Sequence, residues 1–166
     1  MARHGGAVLF LLCAGSLPLP LAAVTSQSFQ VSATVTPGCL VVGGVSNYGG
    51  LNFGSRSALA TGTVQVALTG GVTLQCTPGV ALNMTVDGGQ YNSGERRMQI
   101  SGGSAKVAYA LFRDAAFSQS LGIGQSVAVA YSDANNISLP IYGQVQLPGN
   151  QPGGTYSDVL QVQLSW

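Results

Sequence analysis

Residues 28–39 read SFQVSATVTPGC. Phe29, Val31, Ala33 and Val35 fall at every second position with Gln30, Ser32 and Thr34 between them, the alternation of a strand that buries one face. The pattern stops at Pro37-Gly38, where proline has no N–H to give to a ladder, and Cys39 follows at once. No two-residue hairpin signal supplies a partner strand. The segment thus has no partner strand marked in its own sequence, which leaves open a partner in another molecule.

Upstream, MARHGGAVLFLLCAGSLPLPLAA carries a basic start at Arg3 and His4, an apolar core from Ala7 to Ala14, and a small-residue, proline-containing end. This is the pattern of a secretory signal peptide over residues 1–23, with cleavage expected after Ala23 or a residue or two away. The apolar run is too short to span a bilayer, and Leu12 before Cys13 argues against lipoprotein processing. Residues 24–37 are then expected to form an N-terminal segment ahead of the domain proper, 38–166, and the resemblance described below implies that this segment is a donor strand.

Export changes the available chemistry. With Arg3 and His4 removed, Arg56, Arg96, Arg97, Lys106 and Arg113 balance Asp87, Glu95, Asp114, Asp133 and Asp158, and no histidine remains. A neutral chain in which only 7% of residues are charged offers nothing to condense phosphates or to bind anionic lipid, so no nucleic-acid partner is expected. Of the three cysteines only Cys39 and Cys76 lie past the signal, and an even count in an exported chain points to one disulfide. Closing a loop of roughly 40 residues would contribute about 4 kcal/mol on the chain-entropy account. The alternatives are two free thiols or half of a metal site, which would lack a histidine or further cysteine to complete a zinc shell.

Downstream, glycine doublets punctuate a series of β-rich segments: CLVVGGV, LNFG, TVQVAL, VTLQCT, VALNMTV, RRMQIS, KVAYALFRD, SVAVAYS, ISLPIYGQVQL and TYSDVLQVQLSW. Val64, Val66 and Leu68 alternate cleanly, as do Val72, Leu74 and Cys76, and Leu82, Met84 and Val86. No segment sustains a helical period with caps, so an all-β sandwich is expected. The last strand is expected to present Leu160, Val162, Leu164 and Trp166 to the core, and the sequence stops on the last of them. A strand to give at the start and a vacancy beside the last strand would together make an incomplete sandwich.

Over residues 29–166 the sequence resembles the spore coat U domain family and the Csu-type subunits of archaic chaperone–usher pili. The resemblance rests on the alternating segment before Cys39, LNFG at 51–54, VTLQCTPG at 72–79, VDGG and RRM between 86 and 98, VAYALFRD at 107–114, and LPIYGQVQLPGNQPGGTYSDVLQVQLSW at 139–166. It departs at LGIG, residues 121–124, where such subunits commonly place an aromatic before the glycine. The resemblance implies an incomplete immunoglobulin-like sandwich completed by a strand from a neighbouring subunit or a chaperone. It further implies an exported structural subunit on the cell surface with a role in adhesion and biofilm formation. The implied partners are identical or related subunits, a periplasmic chaperone and an outer-membrane usher. Phe29, Val31, Ala33 and Val35 would then be the donor side chains, Leu160, Val162, Leu164 and Trp166 would border the groove, and Cys39–Cys76 would fix the exit of the donor segment.

Other readings are weaker. No catalytic, cofactor-binding or metal-binding residue is expected: a Ser-His-Asp or Cys-His site lacks its histidine. Asp87 and Glu95 could pair as glycosidase acid and base but sit in a glycine-rich loop. A lectin-like module could use Tyr91, Asn92, Tyr142 and Asn150 for stacking and amide hydrogen bonds. A surface coat that forms no fibre would have nearly the same sequence. Arg96-Arg97 and Arg113-Asp114 read as surface charges at strand ends. The sequons at Asn83 and Asn136 read as chance matches, since the implied host is bacterial.

Overall fold

The computed structural model describes residues 28–43 and 48–166; the segment expected to be a signal peptide, residues 1–23, and residues 24–27 lie outside these. The chain divides into two units, Met1–Thr34 and Val35–Trp166, and the fold is that of the second. Residues 28–38 belong to no strand, with Phe29 86%, Val31 82% and Val35 86% exposed; Ala33 is exposed as well.

The second unit is all-β, with no helix among the described residues. In chain order the strands are β1 (Cys39–Val41), β2 (Thr61–Ala67), β3 (Leu74–Cys76), β4 (Asn83–Val86), β5 (Arg96–Ile100), β6 (Lys106–Phe112), β7 (Val127–Ala128), β8 (Tyr142–Pro148), β9 (Tyr156–Ser157) and β10 (Val162–Ser165). They form antiparallel sheets in the orders β1-β3, β10-β4-β7 and β2-β8-β6-β5-β9. The core gathers the inward positions that the alternation picks out: Val72, Leu74 and Cys76; Leu82, Met84 and Val86; Val107, Tyr109 and Leu111. Val64 and Leu68 pack against it half-buried. Burying such side chains is the main favourable contribution to the fold, roughly 1.5–3 kcal/mol for each large one.

Cys39 and Cys76 face each other in the β1–β3 register and are joined by a disulfide. The N–H of Thr77 donates to the carbonyl of Gly38 (2.8 Å), so the bond sits where the chain enters its first sheet.

Three segments depart from the strands read in the sequence. LNFG is not a strand, because the Asn52 Oδ1 accepts the N–H of Gly54 (2.9 Å) and closes a local turn that competes with a ladder. Its Leu51 and Phe53 nevertheless pack on the core at Gly143, where a Cβ would lie 3.0 Å from each side chain; glycine is required there for the close approach. ISLPIYGQVQL begins its strand only at Tyr142, since Pro140 cannot donate to a ladder. TYSDVLQVQLSW splits in two: β9 pairs with β5 in the large sheet, while β10 pairs with β4 in the three-stranded one. The chain changes sheets over residues 158–161.

Candidate strand-acceptor site

β10 is an edge strand, paired with β4 on one side only. Asp87 N–H donates to the carbonyl of Gln161 (3.1 Å), which fixes the alternation of the ladder. Gln163 and Ser165 therefore turn their N–H and C=O groups to β4. Val162 and Leu164 turn theirs to the opposite side, where no strand among the described residues meets them. Such an unsatisfied row is a template for another strand.

Beside this edge opens a cleft of about 550 Å³. Leu160 and Val162 line it together with Tyr48 to Leu51, and the core residues Val86, Tyr109, Leu111 and Ile141 reach its lining. The cleft thus runs down to the core along the free side of β10, although Val86, Tyr109, Leu111 and Ile141 themselves stay buried. Leu164 packs half-buried against the core. Trp166 does not turn inward as the alternation suggested: it is 59% exposed, lies one position past the end of β10, and sets its indole Nε1 3.8 Å from where a Cβ on Gly38 would lie. The end of the last strand thereby meets the start of the first.

The rim of the cleft is polar and tightly tied. Asp87 Oδ1 accepts the N–H groups of Gly89 (3.1 Å) and Gln161 (2.9 Å). Asp158 Oδ1 accepts those of Gln90 (2.8 Å) and Val159 (2.9 Å), and its Oδ2 accepts the hydroxyl of Tyr109 (2.7 Å). Burial, then the hydrogen bond to Asp158 and its charge, push the Tyr109 phenol well above its ordinary pKa.

Arg96 corrects its assignment as a surface charge. It is 4% exposed and donates to the carbonyls of Asp87 (2.8 Å), Leu121 (2.7 Å), Val86 (2.9 Å) and Gly122 (3.2 Å). Burial lowers its pKa, offset in part by Tyr109, Asp87 and Asp158, yet a guanidinium stays charged. Backbone carbonyls as acceptors leave no mark in a sequence; the DGG turn before RRM was the available signal. Arg97, by contrast, is half-buried and pairs with the exposed Glu95 (3.1 Å).

The enzyme candidates are each engaged by other partners. Asp87 is spent on backbone amides and Glu95 on Arg97, and among the described residues no cluster of His, Cys, Asp and Glu could hold a metal. The lectin candidates separate. Tyr91 lies under the Lys106 ammonium at one end of β6 (5.6 Å), whereas Tyr142 pairs with Phe112 at the other end, about 20 Å away along the strand.

No curated protein matches the sequence. The fold is similar to a chain in the crystal structure of the CsuC–CsuE chaperone–tip adhesion subunit pre-assembly complex from archaic chaperone-usher Csu pili of Acinetobacter baumannii. The identity is 16%, the match covers 80% of this chain and 41% of that one, and the TM-score is 0.51. A second similarity, to a chain in a chaperone–tip adhesin complex of CFA/I fimbriae biogenesis, has 14% identity, covers 78% and 41% of the two chains, and gives a TM-score of 0.48. The chain therefore spans less than half the length of either. The Spore Coat Protein U domain family matches residues 25–163, nearly the whole sequence. The chain belongs to the Spore Coat Protein U domain family, whose members are structural proteins and not enzymes.

Proposed function

We propose that this protein is a structural subunit of a chaperone–usher pilus that polymerises by donating the segment carrying Phe29, Val31, Ala33 and Val35 to the free edge of β10 in the next subunit. The observation that carries this reading is the open edge of β10 beside an apolar cleft that reaches the core. Strand addition is the mode by which pilins are completed: main-chain hydrogen bonds to Val162 and Leu164 supply affinity, and alternate side chains fill the cleft. An open apolar cleft and a free edge invite aggregation. A periplasmic chaperone would therefore occupy the cleft first, and an outer-membrane usher would exchange it for the next subunit. The product is exported to the cell surface, where it serves adhesion and biofilm formation. Pro37-Gly38 ends the donor strand, and the Cys39–Cys76 bond anchors the chain where it enters its own domain.

The test is Val31→Asp. Burying Phe29, Val31 and Val35 is worth roughly 1.5–3 kcal/mol each, whereas a carboxylate in the same cleft costs several kcal/mol, charged or protonated. Polymer ladders in unheated gels should vanish, while export and co-purification with chaperone persist. Replacement of Gln30, on the other face of the pattern, should be tolerated. A Val31→Asp protein that still polymerises, or that loses its chaperone-bound form, would overturn the reading. The family's description favours a second possibility, a coat that forms no fibre; neighbouring chaperone and usher genes would decide for the pilus.

A further inference from the structure

The segment 158–161, where the chain leaves the large sheet and enters β10, is fastened to the turn after β4 by two carboxylates that act in opposite directions. Asp87, on the turn, takes the N–H of Gln161 on the segment. Asp158, on the segment, takes the N–H of Gln90 on the turn. Each also holds its own backbone: Asp87 the N–H of Gly89, Asp158 that of Val159.

Buried groups back this cross-tie. Tyr109, 8% exposed, donates its hydroxyl to Asp158 from β6, and Arg96 holds the carbonyls of Val86 and Asp87 from β5. The fit leaves no room for a side chain at Gly89, which has φ +79° and where a Cβ would fall 2.0 Å from Asp158 Oδ2. Asp87, Gly89, Arg96, Tyr109 and Asp158 thus form one device.

Its place is telling. The ladder between β10 and β4 covers only Val162–Ser165, and an edge strand that short, half-buried on one face, is prone to fray. An acceptor edge that frays must be ordered when a strand binds, and that ordering subtracts from affinity. The latch sits where the ladder starts, immediately beside Leu160 and Val162 of the cleft wall.

We infer that Asp87 and Asp158 are positioning residues for strand capture: they hold β10 in pairing conformation before any partner arrives, so that the Val162 and Leu164 edge is preformed. This inference rests on the strand-acceptor reading above. Charged acceptors suit the role, because their hydrogen bonds to N–H groups are shorter and stronger than neutral ones.

The experiment uses the full-length exported subunit carrying Val31→Asp, which keeps it from pairing with copies of itself, and a labelled synthetic peptide of residues 28–36 as the probe. Asp87→Ala and Asp158→Ala should each weaken peptide binding about ten-fold or more, chiefly through slower association. They should also speed amide exchange at Gln163 and Ser165 in the free subunit, with exchange across the β2–β8 pair unchanged. Asp158→Asn and Asp87→Asn, which keep an acceptor oxygen, should recover part of the loss. Alanine variants that bind the peptide as tightly as the parent would overturn the inference, as would exchange accelerated equally in β2 and β8, the sign of general destabilisation. A parent that binds no peptide would overturn the acceptor reading itself and this inference with it.

Discussion

β4 and β10 lie side by side in one sheet and carry the same alternation, yet they end in different environments. Leu82, Met84 and Val86 are sealed in the core, whereas Leu160, Val162 and Leu164 are only half-buried. β4 has a neighbour on each side and β10 has one. Identical patterning therefore reports which face turns inward and says nothing of whether anything covers the strand's flank. The shortfall on β10 is the space an incoming strand would fill.

The contrast can be broken first from its buried side. Arg96 braces the end of β4, and Arg96→Met would leave the carbonyls of Asp87 and Leu121 without this donor at a cost of about 4 kcal/mol, since each orphaned group costs about 1–3. Urea denaturation of the monomer measures it; a cost under 1 kcal/mol would mean that the guanidinium is dispensable.

Truncations sharpen the comparison. Met84→Ala should cost about 3 kcal/mol in the monomer and Leu164→Ala only about 1, because the half-buried site has less to lose. In the polymer the Leu164→Ala penalty should grow, as its face becomes covered. Equal penalties for the two in the monomer would show that β10 is already enclosed.

A smaller effect is expected at high pH, where Tyr109 ties β6 to Asp158. Its phenol is raised in the folded state, so its contribution is fully present below the unfolded value of about 10 and is lost as pH rises beyond that. Denaturation midpoints taken from pH 8 to 11 should fall, and Tyr109→Phe should flatten part of that fall. Identical pH profiles for the two proteins would remove the tyrosine from the account. Smallest of all, Glu95→Gln should change stability by about 0.5 kcal/mol or less, since the carboxylate of the Arg97–Glu95 pair is exposed.

Much of this was legible in the sequence, and the remainder was illegible for physical reasons. Alternation located the inward faces of β2, β3, β4 and β10 because side-chain period is a local property of a strand. Which sheet a strand joins is not local: TYSDVLQVQLSW reads as one strand, but Asp158 and Asp87 divert the backbone between sheets. LNFG contributes apolar side chains at strand spacing while Asn52 bends the backbone into a turn. Arg96 looked like a surface charge because its acceptors are carbonyls contributed by residues up to 26 positions away.

The open edge of β10 is the centre of the account, and amide exchange tests it residue by residue. In the Val31→Asp monomer, the N–H groups of Gln163 and Ser165 should be protected by β4, while those of Val162 and Leu164 exchange freely. In polymers of the unmodified subunit all four should be protected, because the donor strand takes up the outer pair. Val162 and Leu164 already protected in the monomer, or still exchanging freely in the polymer, would contradict strand donation at this edge.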